Sequence, residues 1–375
     1  MARVRLLYVG TLPPHQGGSA IVAAQVLSAL SENGFQVEAI APRPEDADAR
    51  AGGAVQVRSF AMPYLDTSPD SPPSDEYRRR ERESIETLVG EAVERRRPDV
   101  VLIGRESFAP HVVGLAPGIP KAALIQGATT MGILNGSYPP DKAATLLGRL
   151  RELDLVITSA EHMRRTLAEL GVAGVQVVPN PVDLERFKPG GATARGDVVV
   201  AHLSNLKDLK RVEDLVDAAE LALEQDPRLA FTVVGDGPRR AWAEDECAAR
   251  GLVHRFHFPG WVDHARVPDL INASDMVVMP SAGEAQALVY LETAACERTL
   301  IASDIPAARE LIEHGENGLL FPTGDAAGLA DAILTAAGDP GLRARLGREA
   351  RRRVEPHSLD RVVDAYAELL GSLAR

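Results

Sequence analysis

The sequence has little cysteine, no long apolar run and a deficit of positive charge. Its 375 residues include two cysteines, Cys247 and Cys296, whose spacing fits neither a disulfide framework nor a set of metal ligands. No apolar run approaches the roughly 18 residues of a membrane span, and Met1 leads directly into a strand-like segment rather than a signal peptide. We therefore expect a cytoplasmic protein without a membrane span.

The formal net charge of −12 argues against a general nucleic-acid-binding protein. An acidic chain that binds phosphate must concentrate its positive groups in one place, so local basic clusters are informative. Three arginine clusters lie in helix-like segments of mixed charge, at residues 78–80, 95–97 and 351–353. We interpret them as solvated helix faces, and a membrane-surface or substrate-binding role is the alternative.

Apolar strand-like runs alternate with helical patterns over almost the whole chain, which is typical of parallel sheets with crossover helices. The alternation stops after Phe187 at a glycine-rich polar link, residues 188–196, and then begins again. The sequence therefore predicts two α/β domains, residues 1–187 and 197–357, followed by a helix within 358–375. Open parallel sheets bind ligands beyond the carboxyl ends of their strands, so we expect the functional site in a cleft between the domains.

The segment Ser281–Glu292 reads SAGEAQALVYLE and carries two glutamates. A strand is predicted to end just before it and a helix to begin near Ala287, which places Glu284 in the loop and Glu292 about 7.5 Å along the helix axis. Amides at a helix start favour an anion, and carboxylates accept hydrogen bonds from vicinal hydroxyls. The pattern suits a ligand with a central diphosphate and sugars on both sides. Taken alone, it is also compatible with a helix cap at Glu284 and a core ion pair at Glu292.

A basic loop follows the first strand of the second predicted domain. Residues 202–211 set Lys207, Lys210 and Arg211 against a single acid, Asp208. A basic loop in isolation is usually solvated. Beside a helix start that is predicted to bind an anion, however, these cations would supply the positive charge that the rest of the chain lacks.

Several motifs in order resemble the signature of the retaining glycosyltransferases of family 4. The stretch 204–212 is particularly similar to the glucosaminyl-malate transferases of bacillithiol synthesis. The resemblance covers most of residues 175–360 and, more weakly, the Gly-Gly loop near residue 17. The motifs are Glu284-x7-Glu292, Ala302–Glu310 (ASDIPAARE), Asn317–Phe321 (NGLLF), Val233–Pro238 (VVGDGP), Phe258–Val262 (FPGWV) and Val178–Asp183 (VPNPVD).

The resemblance implies a GT-B fold, in which two Rossmann-like, doubly wound domains enclose an interdomain cleft. The first domain would bind the acceptor, the second would bind the donor, and the final helix would pack back on the first domain. The implied reaction transfers a sugar, with retention, from a nucleotide-diphospho-sugar, above all a UDP-sugar, to a hydroxyl of a small molecule or glycan, without a metal or other cofactor. A nucleotide-sugar epimerase, a phosphorylase and a non-catalytic nucleotide-sugar-binding protein are the alternatives.

The resemblance also implies roles for individual residues. Glu284 would contact hydroxyls of the donor sugar, and Glu292 would hold the ribose hydroxyls. Lys210, assisted by Arg211, would neutralise the leaving diphosphate, so these two and Glu284 are the expected catalytic residues. Further donor contacts would come from a set of loop positions: Gly17, Gly18, Val262, Gln286, Ala287 and Leu288.

The chain departs from the family pattern at four of the donor positions. Asn205 replaces the usual arginine five residues before Lys210, as in the bacillithiol-type relatives, so we expect Arg211 or Lys207 to compensate. Gln286-Ala287 replaces the usual Phe-Gly. Gln126 stands where many members have a histidine that bonds the donor sugar. This last change implies either an altered donor sugar or only a substituted hydrogen-bond donor.

Overall fold

The computed structural model describes residues 4–13, 17–43, 51–62, 74–191 and 196–375. The chain divides into two compact units, Met1–Pro181 with Leu359–Arg375, and Val182–Ser358. The first unit ends earlier than the boundary at Phe187 that the sequence suggested. Val182 forms a parallel bridge with Ser358, and Phe187 is buried in the core of the second unit. Part of the predicted link, residues 192–195, lies outside the described residues.

The first unit is built on a parallel sheet in which the strand order is β3-β2-β1-β4-β5-β6-β7. The chain starts in the middle of the sheet, proceeds to one edge and returns to build the other, which is a doubly wound topology. The strands are β1 Arg5–Val9, β2 Gln36–Arg43, β3 Gln56–Ala61, β4 Val100–Ile103, β5 Lys121–Ile125, β6 Leu155–Thr158 and β7 Gln176–Val177. The helices that follow are α1 Gly18–Glu32, α2 Asp75–Arg96, α3 Ala109–Val112, α4 Ala128–Leu134, α5 Pro140–Arg151 and α6 Glu161–Glu169.

The second unit repeats this plan with a parallel sheet ordered β10-β9-β8-β11-β12-β13. Its strands are β8 Val198–Leu203, β9 Leu229–Val234, β10 Phe256–Gly260, β11 Met276–Met279, β12 Thr299–Ser303 and β13 Leu319–Phe321. Its helices are α7 Val212–Gln225, α8 Arg240–Ala249, α9 Val267–Asn272, α10 Leu288–Ala295, α11 Pro306–Leu311, α12 Ala326–Gly338 and α13 Pro340–Val354. The last helix of the chain, α14 Leu359–Leu373, packs against α1 within the first unit.

Both faces of the second sheet are buried, which explains the nearly continuous apolar runs in its strands. Successive side chains of a strand point to opposite faces. Met276 and Val278 of β11 accordingly belong to the core under α7 and α12, whereas Val277 and Met279 belong to the core under α10 and α13. Strands of this kind give strong sequence signals. The apolar runs at residues 100–103 and 276–279, for example, form β4 and β11.

The predicted doubly wound α/β architecture is therefore confirmed in both units. The helix predicted to begin near Ala287 corresponds to α10, which begins at Leu288 with Ala287 as its N-cap residue. Within the part of the chain that the structure describes, no helix combines the length and the apolar character that crossing a membrane requires.

Candidate functional site

The basic loop and the glutamate motif lie side by side in the second unit. They follow β8 and β11, which are neighbours in the sheet, so their carboxyl ends meet at one edge. The backbone N–H of Ala282 donates to the carbonyl of Leu209 at 2.8 Å and joins the two loops. The ammonium nitrogen of Lys210 lies 2.5 Å from Oε1 of Glu284. The structure thus brings together two residues that are 74 positions apart in the chain.

The carboxylate of Glu284 also accepts a hydrogen bond from the hydroxyl of Ser281, at 2.8 Å to Oε1. Ser281 is fully buried, and the side chains of Lys210 and Glu284 are only 17% and 10% exposed. An ammonium group carries three donors, so Lys210 can serve a phosphate oxygen and the Glu284 carboxylate together. Ser281 was not identified as a site residue from the sequence, although it opens the segment that carries both glutamates.

A buried histidine fixes the start of the basic loop. His202 is fully buried, and its Nδ1 lies 2.9 Å from the carbonyl oxygen of Val278, which can only accept, so Nδ1 carries the proton. Nε2 then accepts from the hydroxyl of Ser204, whose oxygen in turn accepts from the N–H of Leu206. Burial lowers the pKa of His202 to about 4, and the positive charge of Lys210 adds to this effect. The imidazole is therefore neutral near pH 7 and holds the loop through directed hydrogen bonds.

Two glycines allow the loop after β9 to approach the basic loop closely. Gly235 and Gly237 have φ angles of 126° and 153°. A Cβ atom at Gly235 would lie 1.7 Å from the carbonyl oxygen of Ser204, and one at Gly237 would lie 1.9 Å from that of Asn205. The Gly-Asp-Gly sequence therefore has a packing role at this place. Oδ1 of Asn205 is buried and, among the described residues, has no hydrogen-bond partner.

The guanidinium of Arg211 lies beside an acid of α7. Its guanidinium makes two hydrogen bonds, of 2.6 and 2.7 Å, to the carboxylate of Asp214, which is 5% exposed. Arg211 has a φ of 50° and is the residue from which α7 begins. This geometry gives Arg211 a local role at the start of α7, and among its described contacts none is made to Glu284.

Glu292 lies on α10 with its carboxylate almost fully buried. Nε2 of His264 lies 2.6 Å from Oε1 of Glu292. His264 lies two residues after Val262, which was expected to lie near the base of the nucleotide. It begins a short helical turn, His264–Arg266. Sequence reasoning did not identify His264, although it lies only two residues beyond the FPGWV motif.

Three residues that were expected to bind an anion through their amides, Gln286, Ala287 and Leu288, lie at the start of α10. Gln286 and Leu288 are half-buried, Ala287 is buried, and the N-cap position has no side-chain hydrogen bond. The first amides of α10 are therefore not capped by the side chain of Ala287. The N–H groups at a helix start attract negative charge.

In the first unit, the Gly-Gly loop leads into α1. Gly17 has a φ of 125° and is the N-cap residue, and the helix begins at Gly18. A residue with a side chain rarely adopts this backbone angle, which explains the glycine at position 17. No Cβ contact lies within 4 Å of Gly17 in the described structure, so the space above the turn is open.

Gln126 directly follows β5 in the first unit, and its Nε2 is buried without a hydrogen-bond partner in the described part of the chain. Glu106 follows the neighbouring strand β4 and is 5% exposed. Its carboxylate accepts from the N–H of Thr129 at 2.7 Å and from the hydroxyl of Thr130 at 3.3 Å. Burial raises the pKa of Glu106. No motif in the sequence marks this acid, which opens a single helical turn, Glu106–Phe108.

Two glycosyltransferase family models match this chain, one over most of each unit. The model of the family described as Glycosyltransferase Family 4 matches residues 16–186, and that described as Glycosyl transferases group 1 matches residues 184–353. Glycogen synthase of Mycobacterium tuberculosis is 28% identical over 267 residues, which are 69% of this chain and 64% of that protein. N-acetyl-alpha-D-glucosaminyl L-malate synthase of Bacillus anthracis is 30% identical over 201 residues, 52% of this chain and 50% of that protein. The chain thus spans less than two thirds of the length of these curated relatives.

Among solved structures, HepE of Anabaena in complex with UDP and glucose superimposes with a TM-score of 0.80 at 18% identity. The match covers 99% of this chain and 100% of that one. At this level of identity the likeness concerns the fold, which is GT-B. Together, the two adjoining family matches and the shared fold show that this chain belongs to glycosyltransferase family 4.

Proposed function

We propose that the protein is a retaining glycosyltransferase that transfers a sugar from a nucleotide-diphospho-sugar, most simply a UDP-sugar, to a hydroxyl acceptor. The names of the relatives favour this activity, since they are a glycogen synthase and an N-acetylglucosaminyl malate synthase. The choice of UDP rests on the neighbouring structure that contains UDP and glucose.

The observation that carries the proposal is the contact between Lys210 and Glu284 beside the start of α10. The ammonium group is suited to the diphosphate, and the carboxylate is suited to sugar hydroxyls. When the bond between the sugar and the diphosphate breaks, negative charge develops on the leaving phosphate. Lys210 and the first amides of α10 would stabilise this charge from fixed positions, which is commonly the largest contribution to catalysis.

The remaining donor contacts follow from the same arrangement. Glu292 would bind the ribose hydroxyls, and Val262 would lie near the base. The amides of Gln286, Ala287 and Leu288 would bind the diphosphate and the sugar. Asn205, and from the first unit Gly17, Gly18 and Gln126, complete the set of proposed donor-binding residues.

In the proposed reaction an acceptor hydroxyl attacks the anomeric carbon on the face from which the diphosphate leaves. The bond from that carbon to the phosphate oxygen breaks, and its electron pair stays on the nucleoside diphosphate. The hydroxyl proton passes to the same phosphate oxygen, so the products are the glycoside and the nucleoside diphosphate. The anomeric configuration is retained, and no side-chain nucleophile takes part.

A thermal-shift panel of UDP-, GDP-, ADP- and TDP-sugars tests the donor class. We expect a UDP-sugar to raise the melting temperature most, and slow hydrolysis of that donor to release UDP with an α-configured sugar by NMR. Turnover to an epimer without release of nucleotide would identify an epimerase instead, and a requirement for inorganic phosphate would identify a phosphorylase. Binding without release of UDP under any acceptor screen would indicate a non-catalytic binding protein and overturn the proposal.

A further inference from the structure

The Glu292 carboxylate is almost completely buried, with 6% of its side chain exposed. A buried carboxylate requires hydrogen-bond donors, and the described donor is Nε2 of His264, 2.6 Å from Oε1. Because an ionised carboxylate only accepts, the histidine must carry a proton on Nε2. Oε1 is thereby engaged by the imidazole, and the plane of the carboxylate is set by this contact.

The imidazole is itself held in position on two sides. Its ring packs against the ring of Phe187, with centroids 5.6 Å apart and planes tilted by 45°. The backbone carbonyl of His264 accepts a hydrogen bond from the guanidinium of Arg186. The carboxylate of Asp263 accepts from the N–H of Ala265 at 2.7 Å and fixes the turn that carries the histidine. The ring therefore has little freedom to rotate away from Glu292.

The segment that supports His264 directly follows the VPNPVD motif, whose last residue is Asp183. Oδ1 of Asp183 accepts from the N–H groups of Glu185 and Arg186, each at 3.0 Å, and its carbonyl accepts from the N–H of Phe187 at 2.8 Å. The Arg186 guanidinium lies over the Phe187 ring, 5.3 Å from its centroid. A continuous series of contacts thus runs from Asp183 through Phe187 and His264 to Glu292.

We infer that His264 is a positioning residue that orients the Glu292 carboxylate for the ribose hydroxyls and thereby sets the preference of the site for ribonucleotides. The inference rests on the proposed function, in which Glu292 binds the ribose. With Oε1 bound by His264, Oε2 is directed to accept from a ribose hydroxyl. A carboxylate that has lost this partner can rotate and accept hydrogen bonds in many directions. The ratio of the affinity for a ribonucleotide to that for a deoxyribonucleotide therefore falls.

A purely structural contact between His264 and Glu292 makes a different prediction. Its loss would lower the melting temperature, or weaken all nucleotides equally, without changing the discrimination between ribose and deoxyribose. The informative quantity is therefore the ratio of two affinities in one variant, which a general loss of stability does not alter.

The experiment measures, by calorimetry, the binding of UDP and of 2′-deoxy-UDP to the full chain. If the donor panel selects another nucleotide, its diphosphate and the corresponding deoxy analogue are used. H264F retains a ring against Phe187 but has no donor, whereas H264Q places an amide N–H near the position of Nε2. We expect H264F to lose about tenfold to hundredfold in affinity for UDP, the scale of one hydrogen bond to a charged group, with little change for the deoxy analogue. H264Q should recover most of the ratio.

Glu292→Ala, measured in parallel, separates the two levels of the argument. If this variant keeps the wild-type ratio, Glu292 does not bind the ribose and the proposed donor arrangement fails. If it loses the ratio while H264F keeps it, the donor arrangement stands and the role of His264 is refuted. Should H264F melt too low for calorimetry, H264N replaces it, because its shorter amide falls short of Glu292, and a wild-type ratio in H264N refutes the inference equally.

Discussion

The ammonium group of Lys210 and the carboxylate of Glu284 form an ion pair with an N···O distance of 2.5 Å. The positive group proposed to receive the diphosphate is therefore already bound to the acid proposed to receive the sugar. A nucleoside diphosphate that binds Lys210 has to share it with Glu284. When the sugar is attached, its hydroxyls can donate to the same carboxylate, which offsets the repulsion between two anions. In the proposed arrangement, the pair would therefore favour the intact donor over the product nucleotide.

Glu284→Gln should tighten the binding of free UDP while lowering turnover. The substitution removes a negative charge beside the diphosphate, and an unscreened gain of about 1 kcal/mol corresponds to about fivefold in affinity. Calorimetry with UDP and a steady-state assay with the donor measure the two effects. Ser281→Ala is the matched control, since it removes a hydrogen bond to the same oxygen without changing the charge. Weaker binding of UDP to Glu284→Gln would contradict the shared-cation arrangement.

Lys210→Ala should lower the rate of sugar transfer about 10²–10³-fold, which is typical for the loss of one group that stabilises a developing anion. The effect on nucleotide binding should be smaller, because the charge on the leaving phosphate grows as the bond breaks. Single-turnover kinetics separates the chemical step from binding. Lys142→Ala, at an exposed lysine of α5, should behave as wild type. An unchanged single-turnover rate in Lys210→Ala would remove its catalytic role.

Arg211→Ala should destabilise the protein more than it slows the reaction. The carboxylate of Asp214 is buried, and the substitution removes its two hydrogen bonds to the guanidinium. The free energy of unfolding should fall by about 1–3 kcal/mol. Urea unfolding and turnover are compared with those of Arg228→Ala. Arg228 pairs with Asp226 but is more exposed, so its contribution should be about 0–1 kcal/mol. A large loss of turnover at wild-type stability would contradict this prediction and support the catalytic role that the sequence suggests.

His202 should make the stability of the protein fall as the pH decreases. The pKa of its buried imidazole is lowered from 6.5 to about 4, so between these values the unfolded chain binds a proton that the native state does not. The neutral imidazole makes its full contribution to the free energy of unfolding above pH 6.5. Between pH 6.5 and about 4 this contribution falls by about 1.4 kcal/mol per pH unit. Urea unfolding of the wild type and of His202→Asn from about pH 7 to about pH 5 measures the difference. Parallel pH profiles of the two proteins would show that His202 does not cause the dependence.

Gly235→Ala should be strongly destabilising and should reduce turnover through the basic loop. The new Cβ would lie 1.7 Å from the carbonyl oxygen of Ser204, so the backbone that leads to Lys210 would have to move. Gly251→Ala is the matched control. Its φ of 72° is also positive, but nothing in the described structure lies within 4 Å of the added atom. The two melting temperatures isolate the steric cost, and equal losses would show that the cost comes from the backbone angle alone.

Much of the fold follows from local signals. The strands are buried on both faces, so runs such as residues 276–279 are apolar at every position and are recognisable in isolation. The proximity of the basic loop and the glutamate motif is also predictable, because it depends on the order of the strands. Residues that follow neighbouring parallel strands meet at one edge, which brings Lys210 and Glu284 together from distant positions.

The amino-acid sequence by itself determined the two doubly wound units and the pair of segments that carry the candidate site, because periodicity, glycine positions and motif spacing act over short distances. Only the tertiary structure decided the partners: Ser281 on Glu284, His264 on Glu292, and Asp214 on Arg211. It also assigned Val182–Phe187 to the second unit. These choices depend on which charged or polar groups burial brings within hydrogen-bond distance, and that is a property of the packed chain rather than of any one segment.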